Sequence, residues 1–184
     1  MKKKKIIIIC VISLICLFIL FFIISFAKDK SNSKAAMKVI NSDYTVFIKD
    51  LEDFETKRDH IYDDIFGSGY AEKFKKNYKS YFDFFDLYGD NVSTMIKDSK
   101  NLTKYCRGIY YTDKDVNSKC QLFTRNYELM VNYYVLDVKR FNVLVKEYNK
   151  YLNDENVKGD KLSYYKAKYK YIDFDEDGKE DGKE

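Results

Sequence analysis

The chain has 184 residues, 46% hydrophobic and 34% charged, with 18 Tyr, 14 Phe, seven Gly, four Cys, one His and neither Pro nor Trp. So few turn formers exclude a many-stranded sandwich or barrel, and so much aromatic area excludes a disordered chain. The 33 basic residues, four of them Lys2–Lys5, stand against 29 acidic ones, so the rest of the chain balances and no nucleic-acid partner is expected.

Residues 1–5 form a lysine run, and 6–27 form an uncharged run interrupted only by Ser and Cys. As a helix, 6–27 reaches roughly 33 Å, the thickness of a bilayer's hydrocarbon core. The lysines before it predict an N-terminus held in the cytoplasm. A single-pass cell-membrane protein with its bundle outside is therefore expected. Cleavage after Ser25-Phe26-Ala27 is the rival reading, opposed by a run longer than a signal peptide needs. Cys10 and Cys16 follow isoleucines, which does not fit lipid modification, and read as packing thiols.

After a linker at 28–35, residues 36–172 carry an apolar step of three and four. The first stripe is Met37, Ile40, Tyr44, Phe47, Leu51, Phe54, Ile61 and Ile65, with Arg58 at its one polar position. A repeat near 3.5 residues predicts a long helix with coiled packing, and period-two alternation is absent. Gly67-Ser68-Gly69 ends it. The second stripe runs Phe74, Tyr78, Tyr81, Phe85, Tyr88, Val92, Met95, Ser99, Leu102 and Cys106, with Gly89 as a candidate kink. The third runs Cys120, Phe123, Tyr127, Met130, Tyr134, Val138, Phe141, Val145, Tyr148 and Leu152. A polar loop then leads to Asp160, which reads as the N-cap of a short fourth helix carrying Leu162, Tyr165, Tyr169 and Ile172. The expected fold is all-α: a transmembrane helix, then an antiparallel bundle of three long helices plus one short C-terminal helix.

Cys106 and Cys120 extend the second and third stripes to the mouth of one hairpin, and an oxidising compartment favours a disulfide between them over free buried thiols. The acidic tail, 173–184, matches the calcium-loop pattern D-x-D-x-D-G-x5-E. Asp173, Asp175, Asp177, Asp181 and Glu184 are its candidate ligands. Against calcium stand Glu180 where such loops carry an apolar residue, and the lack of a second loop; the competing reading is a solvated tail. His60 stands off the apolar stripe and reads as an exposed helix residue. No phosphate loop, H-E-x-x-H or zinc spacing is present, so no enzyme is expected.

The segment from Arg140 to Leu152 resembles the R-x-x-Y-N-x-x-V-x-x-Y-N-x-x-I stretch of the LemA family, with the Arg nearer and the usual following proline absent. Phe141-Asn142, Val145 and Tyr148-Asn149 hold the spacing. The resemblance implies a membrane-anchored, exported helical bundle. The residues themselves point to a structural or interaction role, with the membrane and a protein or envelope component as partners. A homo-oligomer is compatible with that reading. The alternative is a calcium-responsive surface module.

Overall fold

The computed structural model describes residues 2–67, 69–154, 159–170 and 172, with side chains of the N-terminal helix described from Leu14 onward. The chain is all-α, and no strand occurs among the described residues. Helix α1 (Lys2–Val39) runs through one π-helical turn, Ile40–Tyr44, into α2 (Thr45–Phe66). Helix α3 (Tyr70–Asp98) returns and continues as α4 (Lys100–Cys106), and α5 (Lys114–Asp154) runs out again. Three long helical rods, each antiparallel to the next in sequence, thus surround one core.

The stripes account for that core. Ile40, Phe47, Leu51, Phe54 and Ile65 are buried from the first rod, and Arg58 occupies the polar position among them. Phe74, Tyr81, Phe85, Tyr88, Val92, Met95 and Leu102 are buried from the second, and α5 buries nearly its whole stripe. Aromatic rings set the spacing: Phe85 stacks on Phe141 at 4.3 Å, and Phe47 meets Phe123 edge-on at 5.0 Å.

Cys106 and Cys120 are bonded, with their Cα atoms 4.6 Å apart, and join α4 to the first turns of α5. The preceding loop is fastened by Asp113, whose Oδ1 accepts the backbone N–H groups of Asp115 and Val116 and caps α5.

The structure corrects three expectations. Among the described residues, no helix is long and apolar enough to cross a membrane. The single-pass cell-membrane placement, with a cytoplasmic N-terminus and an external bundle, falls with that helix. Instead α1 continues unbroken through 28–35, where Ser33 and then Ala36 are already buried.

Gly89, the candidate kink, lies inside the uninterrupted α3, and the second rod is interrupted instead at Ser99. There the Ser99 hydroxyl donates to the Met95 carbonyl at 2.7 Å and competes with the helical ladder.

The third correction concerns the C-terminal segment. No helix forms over the described residues 159–170 and 172, which lie as an irregular, largely extended strap along the bundle. The acidic tail with its proposed calcium ligands lies outside the described residues.

Candidate functional site

The strap is held by side chains of α5 acting on its backbone. Asn149 donates from Nδ2 to the Leu162 carbonyl and accepts the Leu162 N–H at Oδ1, both at 2.8 Å. Asn142 does the same to Tyr165, at 2.8 and 2.7 Å. Asn132 does it again to Ile172, at 2.9 and 2.7 Å. A carboxamide offers one donor side and one acceptor side, so it satisfies both polar groups of one residue without reading its side chain.

The spacing of this ladder selects an extended chain. Asn149 and Asn142 are two turns apart on α5, ~10.5 Å along the axis. The strap covers that distance with three residues, Leu162 to Tyr165, at ~3.3 Å each, whereas three helical residues would cover only ~4.5 Å. From Asn142 to Asn132 the axis advances ~15 Å while the strap spends seven residues. The excess is taken up by a bend at Lys168 and Tyr169.

Helix α3 forms the other wall. The Tyr165 hydroxyl donates to the Phe85 carbonyl at 2.8 Å, and its ring lies among Phe82, Phe85 and Phe141. Burial first, and then the neighbouring Tyr134, push the Tyr165 hydroxyl above its ordinary range, so it stays a donor. The Tyr134 hydroxyl accepts the Lys168 N–H at 3.3 Å, and Lys168 pairs with Asp90 of α3. Gly89 explains how the strap comes so close. A Cβ there would stand 2.8 Å from the Tyr134 hydroxyl and 3.2 Å from Lys168 Cδ. The glycine is the floor of the groove.

A second polar cluster crosses the core one helix away. Asp137 of α5 is 3% exposed. It accepts Arg58 Nε at 2.8 Å and the Tyr88 hydroxyl at 3.0 Å, with Arg140 at 3.7 Å. The Arg58 guanidinium also lies 4.4 Å from the centroid of the Tyr133 ring. The cluster is closed around itself: the space between Arg58, Tyr62, Phe85 and Asp137 is about 10 Å³, too small for a ligand.

Beside the π turn lies an open cleft of about 270 Å³, with Asp43, Asp50 and Asp98 over Phe47 and Met95. Among the described residues, no set of three His, Cys, Asp or Glu side chains is placed to hold a metal ion. His60 is exposed on α2, away from the groove wall formed by α3 and α5.

Sequence reasoning placed Tyr165, Tyr169 and Ile172 as core-facing, and the structure half-buries all three against the bundle. It missed the asparagines that hold them. The available signal was the seven-residue spacing of Asn142 and Asn149 on α5. No family model, no curated protein and no solved structure matches the chain.

Proposed function

We propose that the chain is a binding module with a structural or interaction role, and that the groove between α3 and α5 receives an extended polypeptide segment. The observation that supports this reading is the asparagine ladder. Three carboxamides, each bonded to both polar groups of a single backbone residue, make a receptor for chain in an extended form. Aromatic pockets between the rungs, such as that around Tyr165, supply the side-chain preference. At about 1 kcal/mol net per neutral hydrogen bond, the six bonds contribute on the order of 6 kcal/mol. Burial of Leu162, Tyr165, Tyr169 and Ile172 adds to this, and the sum is of the size that micromolar binding requires.

In the intact chain the groove is filled from within, and a short connector gives the strap a millimolar effective concentration. Binding in trans is therefore tested after cutting. A specific protease site placed at 155–158 is cleaved after folding, and a labelled peptide of residues 159–172 is added in excess. The labelled peptide is expected to replace the cut strap, and Asn142→Leu with Asn149→Leu to weaken its uptake at least tenfold. A cut chain that takes up no labelled peptide would show the groove to be a packing feature only.

A further inference from the structure

We propose that the occupant of this groove in trans is a second copy of the chain: the strap of one molecule seats between α3 and α5 of another, and the two exchange straps. The inference rests on the groove being a receptor for extended chain, and adds the identity of the partner.

What fixes the strap favours exchange. The backbone bonds at Leu162, Tyr165, Lys168 and Ile172 all go to side chains of α5. The Tyr165 hydroxyl and the Lys168 ammonium go to α3. None of these partners lies in the segment that joins the strap to its own helix. A strap arriving from another copy finds every one of them in the same place, so cis and trans seating differ only through the connector and the concentration.

The connector is where cis seating is demanding. Helix α5 ends at Asp154, and Gly159 already lies back against its last turns, where a Cβ would stand 3.0 Å from Leu152 Cδ2. Only four residues, 155–158, separate these two points in the sequence. Connections as short as this are the ones that convert to exchanged dimers.

Charge adds selectivity. The strap carries Lys161, Lys166, Lys168 and Lys170. The α3 wall carries Asp83, Asp86 and Asp90, with Lys168 on Asp90. The partner chemistry is thus a basic, tyrosine-bearing extended segment, which each copy holds in the required order.

The Lys168–Asp90 pair supplies the test on the unaltered full chain. Isotopically heavy and light chains are unfolded together, refolded over a range of concentrations and treated with a carbodiimide. The reagent activates the Asp90 carboxylate and is lost as the urea when the Lys168 amine displaces it, leaving an amide, with water as the net loss. Exchange predicts heavy–light Lys168–Asp90 crosslinks that rise with concentration towards about half of the total, the random limit for exchanged dimers. Association through the exposed apolar turns of α1 leaves this particular crosslink heavy–heavy or light–light. Only unmixed crosslinks at every concentration would overturn the proposal. A light synthetic peptide of residues 159–172, refolded with heavy chain, separates the two readings. If the peptide crosslinks to Asp90 while chains never mix, copy exchange is wrong and the groove stands. If neither does, both are wrong.

Discussion

Asp137 stands on the buried face of α5 beside Val138, a position where a carboxylate is costly unless every oxygen is engaged. It is engaged by Arg58 from α2, Tyr88 from α3 and Arg140 from its own helix, so one side chain ties the three rods together. Burial and the adjacent carboxylate push the Tyr88 hydroxyl upward, which keeps it a donor. Removing the acid leaves the guanidinium without its main partner. Asp137→Ala is expected to lower unfolding free energy by about 3 kcal/mol, while Arg58→Met with Asp137→Leu recovers most of that loss. Urea unfolding of the three proteins measures it; a single variant within about 1 kcal/mol of wild type would show that the pair is not what holds the rods.

Glu128 is the opposite case. Its Oε1 is buried with no hydrogen-bond partner among the described residues, and burial pushes its carboxyl up to about 7 despite the opposing charge of Arg107. The folded state then holds a proton that the unfolded state releases near its ordinary value. Stability is full below about pH 4.5 and is lost as pH rises to about 7. Because Glu128 is only half-buried, water screens part of the penalty, and about 1 kcal/mol is the expected size of the change. Glu128→Gln should flatten this slope between those pH values in urea midpoints taken across the range. An unchanged slope would place the titration elsewhere.

Among elements, the hairpin of α4 and α5 is closed covalently by Cys106 and Cys120. A loop of this length contributes ~3 kcal/mol by limiting the unfolded chain. Cys120→Ser should therefore lower the melting temperature in oxidising buffer and leave it unchanged in reducing buffer; equal melting in both would remove the clasp from the stability of the bundle. The same elements show what the sequence made legible. The apolar stripes named most of the buried residues of the three rods, because helix burial is a matter of periodicity, which one chain displays; they missed the flanking positions Val116, Val131, Val135, Asp137 and Leu144 of α5, whose buried face is wider than one seam. The break at Ser99 was not legible, since a serine on the seam reads as a tolerated small residue until its hydroxyl is seen bonding back to Met95. The π turn at Ile40–Tyr44 was also hidden, because a four-residue step fits an α-helix as well. The strap was misread for a related reason. Leu162, Tyr165, Tyr169 and Ile172 have helical spacing, but the backbone there is bonded to Asn149, Asn142 and Asn132 instead of to itself. Asn142 and Asn149 stand out in the sequence only through the spacing of the Arg140–Leu152 segment and Asn132 not at all, since what they bond lies up to 40 residues away.

At the scale of the molecule, the strap turns a three-rod bundle into one with a covered α3–α5 seam, and the cover is separable in energy from the rods. Gly89 is where that separation is tested most directly. It lies inside α3, where Ala would be favoured by ~1 kcal/mol on helix propensity alone. The rod therefore gains from Gly89→Ala. The strap loses, because the new Cβ stands 2.8 Å from the Tyr134 hydroxyl and 3.2 Å from Lys168 Cδ. The hydroxyl must move, and in moving it gives up the Lys168 N–H at 3.3 Å. The Asn149 rung at Leu162 is too far from Gly89 to feel the methyl group directly. Opposite signs are therefore expected in one protein: unchanged or higher stability of the rods in urea, and faster hydrogen exchange in the strap. The Lys168 amide should exchange at least tenfold faster, the Leu162 amide by a smaller factor, and the amides of α5 at their former rates, as for a locally opening unit. Uniform slowing of exchange across strap and rods would mean that the methyl group is accommodated, and that the close approach at Gly89 does not seat the strap.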